Sequence, residues 1–514
     1  MIERKLSEKR QVIINMSASF VAYGATLFIG FFLSPYIVRT IGVEANGFVS
    51  LANNFVGYAS LITLALNSLA GRYITISIVK GDIKEANRYF SSVFYANIVI
   101  ASSLAIVGVL VIIFLERLIN IPLSLVSDVK LLFACLFLNC LISVAGSVFS
   151  VATFVRNKLY LESLRNIEAN LARALLIVGL FALFSPHVAY VGAGSLFSGI
   201  YVLACNLIYT KRLLPEIKLQ RINFDIKAVM ELTAAGIWNT INRLGQIFIN
   251  DLDLLITNLF ISATAMGVLS LSQTVPNMIG SLMNSIVGVY SPNFTILYAE
   301  GKRKELITEV KQAMTIMGIM TDVPIIILIV CGQDFFHLWQ PTQNAGTLQV
   351  LSLLAIGILV ISGGLNCLYN IFTVVNKIKL NSIVVLASSL ITVGIVFLTL
   401  KFTNLGIFAI AGVSTVISAI RNLAFTAPYG AHCLNQRWYT FYPIIIKSVL
   451  YTCLSSIAGM LIVRGIKVTN WFVLAVKAGI VGILSLIIAF LVFFNNRERE
   501  IILNRVKRIF RHRK

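Results

Sequence analysis

The chain has 514 residues, 58% of them apolar and only 12% charged, where an ordinary soluble domain carries roughly 25% charged residues. A string of soluble domains is excluded, because this composition cannot supply their polar surface, and the mean hydropathy of +0.88 agrees. Lys and Arg number 42 against 21 Asp and Glu, a net charge of +21 that suggests nucleic acid in a soluble protein and the cytoplasmic face in a membrane protein.

Met1 to Gln11 mixes Glu3 and Glu8 with Arg4, Lys5, Lys9 and Arg10. The apolar run that follows is far too long for a signal-peptide core and is read as an uncleaved first span. A bilayer core needs roughly 20 apolar residues per helix. Cutting at charged and Pro/Gly/Asn-rich breaks predicts fourteen transmembrane helices in an all-α polytopic protein, at 12–38, 48–79, 89–115, 130–155, 165–184, 188–209, 231–260, 265–298, 311–331, 346–374, 381–400, 405–427, 443–463 and 471–494. Tight turns at 184–188 and 260–265 leave a count of twelve or thirteen open.

The basic residues sort to one side of these spans. That side receives the N-terminal cluster, the loops around Lys80 to Arg88, Arg156 to Arg165, Lys211 to Lys227, Lys302 to Lys311, Lys377 and Lys379, Arg437 and Lys447, and the tail from Arg497 to Lys514. The other side receives Arg39, Arg117, Lys130, Lys401, Arg464 and Lys467. The positive-inside rule therefore places both termini in the cytoplasm. The tail, without aromatics or a folded module, suits anionic headgroups, so no nucleic-acid partner is expected.

Seven scattered cysteines and four dispersed histidines form neither a disulfide framework nor a metal site, and no cofactor is expected. No extramembrane segment exceeds about 20 residues and no GxxxxGK[ST] occurs, so ATP hydrolysis on this chain drives nothing.

At an offset of 220 residues, Gly47 to Glu85 overlays Gly267 to Glu305 without a gap. Eight pairs are identical: Gly47/Gly267, Ser50/Ser270, Leu51/Leu271, Thr75/Thr295, Ile76/Ile296, Gly81/Gly301, Lys84/Lys304 and Glu85/Glu305. The offset equals six spans, an even number, so the repeat is parallel, with a two-fold axis expected along the membrane normal. The expected organisation is a lobe at 1–215, a second at 216–440, two extra helices at 441–494 and a basic cytoplasmic tail at 495–514.

Polar residues recur on single helical faces. On the seventh span Asn239, Arg243, Gln246, Asn250, Asp253 and Thr257 share one face, and on the eighth Ser270, Gln273, Asn277, Gly280, Asn284, Gly288, Ser291 and Thr295 do the same. The second span carries a weaker copy through Asn53, Gly57, Ser60, Asn67, Gly71 and Thr75. Small and amide residues also serve helix packing in membranes, but a stripe with Arg and Asp favours water. Arg72, Arg173, Arg243 and Arg421 lie within the spans, from both lobes, at or on the cytoplasmic side of the midplane. Singly each can snorkel or pair with a carboxylate; together they suggest a cavity for a phosphate or diphosphate. The asparagines and glutamines on the stripes, Asn53, Asn67, Asn239, Gln246, Asn250, Gln273, Asn277 and Asn284, are candidate sugar-binding residues. Of the few intramembrane acids, Asp253 lies on the seventh-span stripe and is a candidate either for an ion pair or for coupling, whereas Asp251 falls off it. Asp322 has no obvious basic neighbour and is a second coupling candidate, with H+ or Na+ as the ion.

Pro35 to Phe48, PYIVRTIGVEANGF, resembles the first-loop pattern of the multidrug/oligosaccharidyl-lipid/polysaccharide (MOP) exporter superfamily. The segment from Asp253 to Phe260 and the turn from Met266 to Ser270 resemble that group's Asp-bearing aliphatic helix and following Gly turn. Length, twin lobes, two extra C-terminal helices and basic loops look most like bacterial polysaccharide-type flippases, including those for O-antigen repeat units. The resemblance implies a non-enzymatic flippase that moves an undecaprenyl-diphosphate-linked oligosaccharide to the outer leaflet. It implies membrane lipids, a polysaccharide polymerase and a chain-length regulator as partners. Some of these flippases carry basic residues on helix one; Val12 to Val38 has none, so no substrate arginine carries over there. A multidrug cation antiporter of the same superfamily, which would want an acidic cavity, and a membrane glycosyltransferase or polymerase are the alternatives.

Overall fold

The computed structural model describes residues 2–494 and 499; within the helices, the side chains of residues 2–10, 12–13, 16, 284–285, 288–289 and 292 are outside that description. Apart from Arg499, the basic tail lies outside the described residues, as does the side chain of Asn284.

The described residues are overwhelmingly helical, and each expected span finds a helix: α1 (Ile2–Ile41), α2 (Val43–Val79), α3 (Ile83–Ile113), α4 (Leu123–Val155), α5 (Leu159–Leu183), α6 (Ala189–Leu213), α7 (Ile226–Gln246, continued to Asp253–Phe260), α8 (Ala263–Ala299), α9 (Arg303–Trp339), α10 (Ala345–Val374), α11 (Ile378–Phe402), α12 (Ile407–Cys433), α13 (Tyr442–Val463) and α14 (Trp471–Phe493). Among the described residues twelve candidate spans are long and apolar enough to cross a bilayer, and α7 and α8 are further helices. The protein is a polytopic all-α membrane protein. Helices are the expected solution, since a backbone in hydrocarbon must satisfy its own hydrogen bonds.

The chain forms two compact units that divide between Ser270 and Leu271. In the first, α2 packs on α3, α4 and α7, α1 on α5, and α6 on α4 and α5. Its core gathers Leu66, Ile74, Phe90, Val93, Val148 and Leu232. In the second, α9 is central, packing on α10, α13 and α14. Phe294, Met314, Leu368 and Phe441 fill one of its clusters, and Ile326, Tyr451 and Val481 another.

The repeat is visible in local geometry. Gly81 and Gly301 both take positive φ, 78° and 72°. Each donates its N–H three residues back, to Ile78 and Tyr298, and each following N–H reaches five back, to Ser77 and Leu297. This is the helix-ending pattern that favours glycine. A second matched pair of turns escaped the sequence comparison: Asn157 (φ 53°) with Lys158, and Asn376 (φ 54°) with Lys377, close the helices before α5 and α11 by the same bonds. Within the first unit, residues 220 apart touch one another: Ser270 Oγ donates to Ser50 Oγ at 2.6 Å, and Thr264 Oγ1 to Glu44 at 2.5 Å. A Cβ on Gly47 would come within 2.8 Å of the Gly267 Cα.

α7 begins at Asp225, which caps it by accepting from the Lys227 N–H (2.8 Å) and from Arg88 Nε (2.7 Å). Those two donors hold the carboxyl below the usual carboxylate range. Further along, α7 lies so close to α2 that a Cβ on Gly236 would overlap the Ala65 carbonyl oxygen. Helix association in lipid depends on such close backbone approach. Gly236→Ala should therefore lower the unfolding temperature of the purified protein, at about 1–3 kcal/mol of overpacking, whereas Gly179→Ala, which meets open space, should not.

Candidate functional site

Between Gln246 and Asp253 the α-helix of α7 is interrupted by a π turn, Ile247–Asp251, with the Leu252 N–H bonded five residues back to Ile247 at 3.1 Å. In an unbroken α-helix Asp251 would sit about 80° round from Arg243; the extra residue of a π turn brings it to within about 20°. The Arg243 guanidinium accordingly bonds Asp251 at 2.9 Å. The pair is part-exposed, with side-chain exposures of 39% and 22%.

The same residue fastens α7 to α2 through its backbone. A π turn displaces a carbonyl from the helical ladder, and the Asp251 carbonyl accepts from Asn54 Nδ2 at 2.8 Å and Tyr58 Oη at 2.7 Å. Around the guanidinium, Arg243 Nη1 donates to Gln246 Oε1 (3.4 Å), Gln246 to Asn242 (2.8 Å), and Asn239 reaches Ser68 on α2 at 3.5 Å. Gly57 faces Arg243, a Cβ there lying 3.9 Å from Nη2, in ordinary van der Waals contact. An arginine with exposed N–H groups, ringed by amides, can take an anionic oxygen together with hydroxyls.

The stripe on α7 thus divides at the π turn. Gln246 and Asn250 are exposed, but Asp253 and Thr257 beyond the turn are buried, the Thr257 hydroxyl bonding the Asp253 carbonyl at 2.7 Å. Asn258, fully buried, closes a reciprocal set of bonds with Asn120 in the α3–α4 connection. The carboxylate that pairs with Arg243 is that of Asp251, which a regular helical count puts off the stripe.

The other candidates are distributed. Asn67 joins Asn97 and Ser147 in a network between α2, α3 and α4, with bonds of 2.9–3.2 Å. Asn97 is fully buried, so Asn97→Ala leaves Asn67 and Ser147 short of partners and should cost about 1–3 kcal/mol, read as a lower unfolding temperature. Asn53 is exposed and bonds its own helix at Val49. Arg72 is exposed on α2. Arg173 lies on α5, beside Gly194 of α6, away from the α2–α7 pair, and its Nε has neither solvent nor a hydrogen-bond partner among the described residues. In the second unit Arg421 immediately precedes another π turn, Asn422–Thr426, and reaches Ser388 on α11 at 3.4 Å. Gln273 is half-buried and Asn277 exposed on α8. Asp322 is fully buried, accepting from Ser448 Oγ at 2.9 Å. Among the described residues no group of three His, Cys, Asp or Glu could hold a metal ion. Asn54, Tyr58 and Asn242 were not singled out by the sequence, and Asp251 was set aside as lying off the stripe; the spacing of four between Asn54 and Tyr58 does not reveal their partner.

Comparison with known proteins gives the family. The model of the polysaccharide biosynthesis protein family matches residues 12–298. The uncharacterized membrane protein EpsK of Bacillus subtilis (strain 168) is 26% identical over 499 residues, spanning 96% of this chain and 98% of its own. Among solved structures, the lipid II flippase MurJ in an inward closed conformation is similar with a TM-score of 0.65 at 13% identity, over 93% of this chain and 98% of its own. An inward-facing multidrug resistance MATE family transporter of the MOP superfamily is similar with a TM-score of 0.64 at 14% identity, over 82% and 98%. At those identities the two structures speak for the fold. The chain belongs to the polysaccharide biosynthesis protein family.

Proposed function

We propose that this protein is a flippase that carries an undecaprenyl-diphosphate-linked oligosaccharide from the cytoplasmic to the outer leaflet of a bacterial inner membrane, for cell-surface polysaccharide synthesis. The observation that carries the reading is the part-exposed Arg243 guanidinium with Gln246, Asn242 and Asn239 beside it on α7. Arg243, with Arg72, Arg173 and Arg421, serves the diphosphate, and Asn53, Asn67, Asn239, Gln246, Asn250, Gln273, Asn277 and Asn284 serve the sugars, whose hydroxyls need exchangeable partners. Lobes at 1–215 and 216–440 give access to each leaflet in turn, with both termini cytoplasmic, and Asp253 and Asp322 are the coupling groups for H+ or Na+. An inside-negative potential assists: at about 2.3 kcal/mol per charge per 100 mV, a doubly negative group gains roughly 4–5 kcal/mol on moving outward. A polymerase and a chain-length regulator act on the delivered product.

The test is to delete the gene in its host and follow lipid-linked oligosaccharide by leaflet. Accumulation in the cytoplasmic leaflet, relieved by the parent protein, supports the reading. Normal delivery together with lost efflux of cationic drugs would replace it by the antiporter.

A further inference from the structure

The connection from α6 to α7, residues 214–225, is fastened along one side of α3. Asn87 Oδ1 accepts the Lys218 N–H at 2.7 Å, Ser91 Oγ the Gln220 N–H at 3.4 Å and Ser92 Oγ the Asp225 N–H at 2.9 Å. Steps of four and one keep those three acceptors on one side of a helix. Arg88 adds its ion pair with Asp225, and the Phe224 ring meets Tyr95 edge-on at 6.3 Å. The level at which the connection crosses is legible in α3 itself. Lys84, Glu85 and Arg88 are charged, and from Tyr89 to Ile113 the helix carries no charge at all. The connection therefore lies where α3 passes from headgroups into hydrocarbon.

Away from α3 the connection is apolar. Ile222 is 89% exposed, and Phe224, Ile226 and Met230 are between 41% and 58% exposed, while the intervening Asn223 and Asp225 are half-buried. Left in water such a row forfeits the stabilisation that burial gives; at a bilayer surface it is covered. Charge is sorted around it. The acids are taken internally, Glu216 by Arg156, Asp225 by Arg88 and Glu231 by the Tyr89 hydroxyl at 3.1 Å. Lys218, Arg221 and Lys227 are exposed and make no ion pair among the described residues. An acidic protein surface would match these cations, but it would not require the apolar row to lie at the level where α3 enters the hydrocarbon. Exposed apolar side chains interleaved with unpaired cations at that level fit an anionic lipid surface.

We propose that the α6–α7 connection is an in-plane anchor that binds anionic phospholipid, with Ile222, Phe224 and Ile226 set among the upper acyl chains and Lys218, Arg221 and Lys227 on the lipid phosphates. Each basic residue near an anionic surface favours the contact by about fivefold. The anchor needs no lipid-linked sugar, so it stands or falls apart from the flippase reading.

The experiment uses the full chain in nanodiscs of phosphatidylcholine with about one-third phosphatidylglycerol, carrying the photoreactive amino acid p-benzoylphenylalanine in place of Ile222. Irradiation should give phospholipid adducts, read by mass, with phosphatidylglycerol at least about threefold over its share of the bilayer. The same probe in place of Ile106, exposed towards the other end of α3, should give adducts without that preference. Lys218→Gln, Arg221→Gln and Lys227→Gln combined should keep the adducts at 222 and bring phosphatidylglycerol down to its share. If the triple variant does not fold, Arg221→Gln alone decides, with the excess expected to fall by about half. Phospholipid adducts at 106 with none at 222, adducts at 222 with no excess of phosphatidylglycerol, or an excess unchanged by the charge variants would each overturn the proposal. Protein adducts replacing lipid adducts at 222 in native membranes would overturn it in favour of a protein partner.

Discussion

Arg243→Ala should cut delivery of lipid-linked oligosaccharide to the outer leaflet by about 30-fold or more, with the substrate accumulating on the cytoplasmic side. Truncating one partner of a hydrogen-bonded charge pair costs about 2–5 kcal/mol, and the diphosphate would lose its most accessible guanidinium on α7. Arg243→Lys should recover only part of this, because an ammonium cannot offer the planar fork that meets two phosphate oxygens. The variant also leaves Asp251 without its cation, and that loss needs separating from loss of substrate contact. Arg243→Ala combined with Asp251→Asn removes the stranded charge. If Arg243 serves substrate, the double variant stays inactive. Recovery of export in the double variant would reduce the arginine to a structural partner of Asp251.

Much of the scaffold follows from hydropathy and charge, and the places where it does not have physical causes. Some helices run past the charges that bounded the expected spans, although α13 and α14 end within about a residue of theirs. Residues 159–164, Glu162 among them, lie inside α5, and residues 303–310 belong to α9 as helix before the apolar stretch, because the ladder of backbone bonds does not stop at the bilayer surface. The 220-residue repeat was legible over α2 and α8 from eight identities. The matched turns at Asn157 and Asn376 were not, since an asparagine in left-handed conformation leaves little trace in a comparison of identities. At the site, a period of 3.6 places Arg243 and Gln246 side by side, as their hydrogen bond has them, and loses the register one turn later. A π turn adds a residue without altering composition, so Asp251 came onto the arginine's face while Asp253 and Thr257 turned into packing. Asn54 and Tyr58 were missed for a related reason: their acceptor is a backbone carbonyl, which has no residue type to recognise.

That division of labour within Asp251 leads to the second large effect. Its carbonyl fastens α7 to α2, whereas its carboxylate occupies the guanidinium that a phosphate would need. Asp251→Asn keeps the backbone bonds from Asn54 and Tyr58 and frees Arg243. Binding of a diphosphate lipid in detergent should then tighten by about 10-fold or more, since hydrogen bonds to charged groups are worth about 1.5–3 kcal/mol and the internal competitor is gone. Turnover should fall, because a ligand that no longer competes with Asp251 leaves the arginine slowly. Tyr58→Phe tests the other half: it removes a donor to the carbonyl while sparing the ion pair, so it should lower the unfolding temperature and leave diphosphate affinity close to that of the parent. Equal affinity in the parent and in Asp251→Asn would show that phosphate and Asp251 do not share Arg243. A loss of affinity in Tyr58→Phe as large as that in Arg243→Ala would mean that the carbonyl fastening and the anion site cannot be separated.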